Sequence, residues 1–259
     1  MDYHPFKAAV NRYLSRSVGE MKRPVFFDIG TTCPALNDIT RNYATILGEF
    51  ERVWNLNPSM PTYHEVDPGE RAISATVDPD KKWNVFMLYV FGYKPARNRS
   101  LCPETCRILD RVPNMIQAFF SILEPGKSVP LHEGPYLGYL RYHLGLSVPK
   151  ENPPKLIVNS KEYVWKPGEA VMFDDSWPHQ VINHSHEIRA VLIVDVLRQL
   201  PLLPAVVNKL VTQCVFRPLY GKAVARRVDG VLRNDETKPT GEADRPSARE
   251  SNPPNTFLH

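Results

Sequence analysis

The sequence predicts a mainly β protein, built as an antiparallel double sheet or small barrel with flanking helices. Between residues 83 and 196, short runs rich in β-branched and aromatic residues alternate with Gly, Pro and Asn. Most of these runs have no helical stretch between them, which argues against βαβ winding. Neither a G-x-G-x-x-G nor a G-x-x-x-x-G-K-[ST] motif occurs, so a nucleotide-binding α/β fold has no support.

One helix is predicted ahead of the strands. Its apolar positions follow a 3.6-residue period, and Asn37 or Asp38 suits the capping of its first turn. These positions are Leu36, Ile39, Tyr43, Ile46, Leu47 and Phe50. We interpret residues 1–62 as a flank of helical and extended structure.

Seven strands are predicted in the segment that follows, and residues 63–200 are expected to form the main domain. A short helix is expected around residues 103–109. The strand segments are WNVFMLYVFGY, MIQAFFSIL, YLGYLRYHLGLSV, KLIVN, AVMFD, HQVIN and IRAVLIVDV.

The C-terminal region divides into two parts. Residues 201–233 carry six basic side chains and one acidic side chain, Asp229, and their apolar residues recur at helical spacing. Two interpretations stay open: a helix packed against the main domain, or a basic amphipathic surface that rests on anionic lipid or an acidic partner. Residues 234–259 have few aliphatic side chains and four prolines, so we predict a disordered tail.

Composition narrows the class of protein. A chain of 259 residues with 42% apolar content can bury a sizeable core, and the net charge of 32 − 28 = +4 is low for a nucleic-acid binder. Four cysteines without repeated C-x-x-C spacing favour a reducing compartment. No apolar run is long enough for a secretory signal or a membrane span. We therefore predict a cytoplasmic protein, with peripheral membrane contact through 201–233 under the second interpretation.

Three strand residues are candidates for holding an anion. Arg141 and His143 are two residues apart, so a strand places both on one face, and Arg189 lies on an equally apolar strand. A guanidinium is rarely buried without an anion, which predicts an anionic ligand between the sheets. The alternative is an internal salt bridge with Asp174, Asp175 or Asp195.

Two histidines are candidates for holding a metal. His132 and His179 each stand at a junction between a loop and a strand, and each is followed about ten residues later by a strand arginine. Neutral imidazoles suit iron, zinc or copper, and a nearby arginine suits a carboxylate co-ligand.

The segment from residue 121 to 196 resembles the aspartyl/asparaginyl β-hydroxylase family of Fe(II)/2-oxoglutarate dioxygenases. The likeness rests on HEGPYLGYLRYHLGLSVP, the W-K-P-G-E turn, FDDSWPHQVIN and IRAVLIVDV. It extends upstream to about residue 63, where it leans towards the bacterial lipid A acyl-chain hydroxylases of that family. The resemblance implies a double-stranded β-helix, or jelly-roll, with iron at one mouth.

Carried over by position, the resemblance assigns roles to six residues. His132 and His179 match the two iron ligands, and Arg189 matches the partner of the distal carboxylate of 2-oxoglutarate. Ser121, Arg141 and His143 match positions that help to hold this co-substrate. Many related oxygenases carry an acid two residues after the first His. This chain has Gly134 at that position, and the β-hydroxylase family likewise has no acid there.

The leading hypothesis is therefore an Fe(II)- and 2-oxoglutarate-dependent hydroxylase. Its substrate would be a lipid acyl chain or the side chain of an Asp or Asn, in a peptide or a biosynthetic intermediate, and the sequence does not separate these. The alternative is a non-catalytic jelly-roll module that binds a carboxylate ligand. No nucleic acid is expected among its partners.

Overall fold

The computed structural model describes residues 4–56 and 60–236. Within them, helices stand at both ends of a β-rich region, and a π-helical segment (Thr212–Gly221) joins the last two helices. The helices are α1 (His4–Val18), α2 (Ile29–Thr32), α3 (Leu36–Arg41), α4 (Tyr43–Leu56), α5 (Tyr63–Val66), α6 (Arg71–Ser74), α7 (Ala96–Leu101), α8 (Pro103–Leu109), α9 (Leu202–Val211) and α10 (Lys222–Glu236).

Ten strands form two antiparallel sheets within the described residues. They are β1 (Phe26–Phe27), β2 (Trp83–Val90), β3 (Met115–Leu123), β4 (Val129–His132), β5 (Tyr139–Ser147), β6 (Lys155–Val158), β7 (Lys161–Val164), β8 (Ala170–Phe173), β9 (His179–Ile182) and β10 (Arg189–Leu197). The larger sheet has the order β1-β8-β5-β10-β3-β2 and the smaller the order β4-β9-β6-β7. The mainly β, jelly-roll-like fold class with flanking helices is confirmed.

The larger sheet is apolar on both faces, because each face is covered. Alternate residues such as Tyr142 and Leu192 pack outward against α3 and α4 through Leu36 and Phe50. The residues between them face the smaller sheet, where Val191 and its neighbours form a second buried cluster. Arg141, His143 and Arg189 belong to this inner face, so these three polar side chains lie between the two sheets.

The expected helix over residues 36–50 is present but interrupted. Asn42 ends α3, where its amide nitrogen and its side-chain Nδ2 both donate to the carbonyl of Asp38, at 3.2 and 2.7 Å. An Asn side chain that bonds to the preceding turn competes with helix continuation. The chain starts α4 at the next residue, so the single predicted helix is two.

The C-terminal segment is helical and partly integrated into the body. Val224 and Val228 of α10 are buried in the inner cluster with Tyr63 and Val66. The predicted tail 234–259 lies outside the described residues except for 234–236, which are the last residues of α10 instead of a tail. In residues 4–56 and 60–236, no helix combines the length and apolar character that crossing a bilayer requires.

Candidate active site

Two histidines face each other across neighbouring strands of the smaller sheet. His132 is the last residue of β4 and His179 the first of β9. Their Cα atoms are register partners, and their ring centroids lie 4.1 Å apart. Strand pairing therefore brings together two residues that are far apart in the sequence.

Backbone carbonyls fix the orientation of both rings. Nδ1 of His132 lies 2.8 Å from the carbonyl oxygen of Pro130, and Nδ1 of His179 lies 2.9 Å from that of Trp177. Because a carbonyl only accepts, we assign the proton of each ring to Nδ1. Both Nε2 atoms then keep their lone pairs, which is the form in which imidazole binds a metal.

Burial keeps both imidazoles neutral. Desolvation, reinforced by His179, lowers the pKa of His132 to about 3. Desolvation also lowers the pKa of His179 to about 4, against the opposing effect of the hydrogen bond to Trp177. No cluster of three or more His, Cys, Asp or Glu side chains suited to a metal occurs in the described residues. The donor set here is two neutral nitrogens.

Arg189 is a buried cation without a protein anion beside it. Its side chain begins β10 and the residue is 2% exposed, and its Nε and Nη1 have no hydrogen-bond partner in the described part of the chain. Burial lowers its pKa to about 9, so it stays charged at neutral pH. An uncompensated buried charge costs several kcal/mol, on the order of 3–5. An anionic ligand bound beside Arg189 would offset this cost.

A continuous series of ring contacts connects the histidine pair to Arg189. The ring of Phe173 lies 6.0 Å from that of His179 and 5.0 Å from that of His143. His143 stacks on Trp165 at 5.8 Å, and Cζ of Arg189 lies 4.3 Å from the centroid of Trp165. The candidate metal ligands and the candidate anion site share one inner wall.

Ser121 and His143 add hydrogen-bonding groups to this wall. The hydroxyl oxygen of Ser121 accepts a 2.9 Å bond from Nε1 of Trp83, which leaves its own hydrogen free to donate. Ser121 is the register partner of Val191, two residues after Arg189. Both ring nitrogens of His143 lack a protein partner, and burial, with Arg141 and Arg189, holds its pKa well below the usual value.

Arg141 differs from Arg189, because the protein itself supplies its anions. Its Nε and Nη2 donate to both oxygens of Asp195 at 2.8 and 2.9 Å, and its Nη1 lies 3.1 Å from Oδ2 of Asp175. This is the internal salt bridge that stood as the alternative for a strand arginine. Because these two carboxylates occupy its donors, Arg141 is a positioning residue in this geometry. Its contact with a co-substrate stays a prediction.

A second buried ion pair was missed by the sequence reasoning. Asp174, in the turn before His179, pairs with Nε of Arg23 at 3.0 Å and with Nη2 of Arg198 at 2.7 Å. The guanidinium of Arg23 also lies 3.7 Å from the ring of Trp177. Arg23 comes from the N-terminal flank, and no periodicity in the sequence indicates this long-range contact.

Comparison with known proteins adds a second line of argument. A sequence model described as aspartyl/asparaginyl β-hydroxylase matches residues 40–199, a range that contains His132, His179 and Arg189. The ornithine lipid ester-linked acyl 2-hydroxylase of Rhizobium tropici is 35% identical over 207 residues, which are 79% of this chain and 72% of that protein.

Two further similarities cover less. Human aspartyl/asparaginyl β-hydroxylase is 36% identical over 122 residues, which are 44% of this chain, and the match spans 16% of that protein. The cupin domain of a transcriptional regulator from Enterobacter cloacae aligns with 17% identity and a TM-score of 0.28 over 32% of this chain and 82% of that chain.

Proposed function

The chain belongs to the aspartyl/asparaginyl β-hydroxylase family, and from this premise we propose that it is an Fe(II)- and 2-oxoglutarate-dependent hydroxylase of a lipid acyl chain. Its relatives are named as hydroxylases of acyl chains or of Asp and Asn, which supports an enzyme. The iron, the co-substrate and the acyl chain are the proposed parts.

The observation that carries the proposal is the buried, unpartnered guanidinium of Arg189 on the same wall as two neutral imidazoles. His132 and His179 would hold the iron through Nε2. Arg189 would receive the distal carboxylate of 2-oxoglutarate, with hydrogen bonds from Ser121 and His143. The unpartnered Nε and Nη1 donors of Arg189 fit a carboxylate. The two Nε2 lone pairs of His132 and His179 fit a divalent metal.

When bound, iron(II) with 2-oxoglutarate supplies the oxidising power to insert one atom of dioxygen into a C–H bond, with succinate and carbon dioxide as co-products. The protein contributes orientation, charge and exclusion of water. The carbonyls of Pro130 and Trp177 hold the imidazole rings, Arg189 neutralises the distal carboxylate, and Phe173 at 1% exposure keeps this wall dry.

The acyl substrate is favoured by the extent of similarity. The Rhizobium tropici acyl 2-hydroxylase aligns over 79% of this chain, whereas the human Asp/Asn enzyme aligns over 44%. The first alignment is 207 residues long and the second 122. A shared substrate class is the simplest reason for similarity outside the chemical centre.

An anaerobic titration tests the metal and co-substrate. Iron(II) added with 2-oxoglutarate is expected to give a weak visible metal-to-ligand charge-transfer band, which His132→Ala and His179→Ala abolish. His186→Ala, at an exposed histidine, is the matched control and should keep the band. Arg189→Met should still bind the metal but need a much higher 2-oxoglutarate concentration.

The absence of a band in the wild-type protein would overturn the proposal and favour a non-catalytic module that binds a carboxylate. Mass spectrometry for the gain of one oxygen atom, across lipid and Asp/Asn peptide pools, tests the substrate. Oxygen gained by a peptide pool alone would replace the acyl substrate by an Asp or Asn side chain.

A further inference from the structure

Helix α9 turns its apolar side chains towards solvent and a polar one towards the body. Leu202, Leu203, Val206 and Leu210 are 81%, 73%, 46% and 56% exposed, whereas Asn208 is buried at 1%. Leu202, Val206 and Leu210 recur every four residues, so they form one stripe along the helix. Packing against a core produces the opposite arrangement.

Helix α1 lies beside α9 and also exposes large apolar side chains. The two helices are in contact, and Phe6 and Tyr13 of α1 are 41% and 47% exposed. They are seven residues apart, which places them on one side of the helix, at the border of the stripe through which Val10 and Leu14 pack inward. We call these exposed side chains the α1–α9 face: Phe6, Tyr13, Leu202, Leu203, Val206 and Leu210.

The two helices of the α1–α9 face, with the π-helical segment after α9, carry charge of a single sign. Residues 4–18 and 202–221 contain no Asp or Glu. They carry the basic residues Lys7, Arg12, Arg16, Lys209 and Arg217. Helices that combine exposed apolar side chains with basic charges alone suit a bilayer with anionic headgroups. A second copy of the chain would bring the same positive charge to the contact.

The two helices also hold the segment that follows His132. Nδ2 of Asn11 donates to the carbonyl of Pro135, and Nδ2 of Asn208 donates to the carbonyl of Gly138, at 3.1 and 2.7 Å. This segment joins β4, which ends at His132, to β5. A surface bound at the α1–α9 face therefore lies next to the connection that leads into the site.

We infer that the α1–α9 face is a docking surface for a negatively charged lipid bilayer and presents membrane acyl chains to the active site. The presentation of acyl chains rests on the proposed function. The surface differs from the predicted segment 201–233, because α1 contributes to it and because Val224 and Val228 of α10 are buried.

Vesicle sedimentation with the full 259-residue chain, without iron or 2-oxoglutarate, tests the inference. The protein should bind vesicles of phosphatidylcholine with phosphatidylglycerol, bind phosphatidylcholine alone much more weakly, and be released by high salt. Leu203→Glu/Leu210→Glu should weaken binding about a hundredfold, roughly tenfold for each leucine lost from the interface. Lys209→Glu should weaken it only for anionic vesicles, by about fivefold or more.

Leu56→Glu is the matched control, since this leucine is 67% exposed at the end of α4, and it should bind as the wild-type protein does. Wild-type protein that stays in solution, or a double variant that binds unchanged, would overturn the inference. A wild-type dimer that Leu203→Glu/Leu210→Glu converts to monomer, without vesicle binding, would assign the face to a second copy instead. Because no iron is present, these outcomes are independent of the iron titration.

Discussion

The carboxylate of Asp175 occupies the space into which a side chain on Gly134 would point. A Cβ atom on Gly134 would lie 2.6 Å from Cγ of Asp175, and the amide of Gly134 donates a 2.7 Å hydrogen bond to the carbonyl of Asp175. Arg141 and the hydroxyl of Tyr139 hold that carboxylate at 3.1 and 2.8 Å. An acid two residues after His132 has no room in this site.

Gly134→Ala should therefore be destabilising although the change is one methyl group. The buried carboxylate cannot move without straining its ion pair with Arg141, so the free energy of unfolding should fall by about 1–3 kcal/mol. Urea denaturation with an unchanged m-value measures it. Gly48→Ala in α4 is the control, since nothing lies within 4 Å of its Cβ, and it should stabilise by about 0.5–1 kcal/mol. Equal stability of Gly134→Ala and wild type would contradict the close approach.

Arg189→Met should stabilise the protein in the absence of ligand and remove its response to 2-oxoglutarate. The substitution deletes a buried charge whose Nε and Nη1 are unpaired, and loses the stacking on Trp165. The net gain should be about 1 kcal/mol, or roughly 2–4 °C in Tm. Thermal unfolding with and without 2-oxoglutarate and metal measures both effects.

The matched control for Arg189→Met is Arg107→Met. The Arg107 side chain is 50% exposed, so its change should stay within about 0.5 kcal/mol and leave the ligand response intact. A strongly destabilised Arg189→Met variant that still responds to 2-oxoglutarate would show that the guanidinium has a structural role instead.

Strand positions were predictable from the sequence, but the roles of the two arginines were not. Period-two alternation placed Arg141 and Arg189 on strands, because each neighbours apolar residues. Their difference depends on what the next strand carries: Asp195 is the register partner of Arg141, whereas Leu123 is that of Arg189. Register between strands 54 residues apart is fixed by packing, which single-strand patterns do not encode.

The histidine pair was likewise only partly predictable from the sequence. The junction positions of His132 and His179 made them candidates, and β4 to β9 pairing sets their ring separation of 4.1 Å. The strand β4 itself was not among the seven predicted, because four residues containing a proline, Val129–His132, give little periodic signal. The buried contact of Arg23 with Asp174 joins the N-terminal flank to the site and has no local signature.

A double-mutant cycle at Arg141 and Asp195 should give a large coupling energy. Arg141→Met leaves the buried carboxylate of Asp195 without its cation and should cost about 3–5 kcal/mol. Asp195→Asn should cost less, because Arg141 keeps the carboxylate of Asp175 at 3.1 Å. The double variant should cost less than the sum of the two by more than about 1 kcal/mol. The exposed pair Arg107 and Glu104, 2.7 Å apart, should couple by less than about 1 kcal/mol in the same measurement. Additive effects at Arg141 and Asp195 would contradict the bidentate contact.

Glu70 should make the stability of the protein fall as the pH rises. Burial, with the nearby carboxylate of Asp67, raises the pKa of Glu70 from its ordinary 4.5 to about 7. Between these two values the native state holds a proton that the unfolded state releases, so stability declines through this window and the loss is complete above pH 7.

Glu70→Gln removes the ionisable group and should therefore raise stability only at high pH. At pH 8 the free energy of unfolding of the variant should exceed that of the wild type by about 1 kcal/mol, a figure reduced for partial exposure of the site. Near pH 4 the two proteins should be equally stable, because the carboxyl group of Glu70 is then protonated in the native and the unfolded state alike. Thermal unfolding at several pH values measures the difference, with Glu151→Gln, on an exposed loop, expected within about 0.5 kcal/mol throughout. A stability difference that does not change with pH would mean that Glu70 ionises in the native state as it does in the unfolded chain.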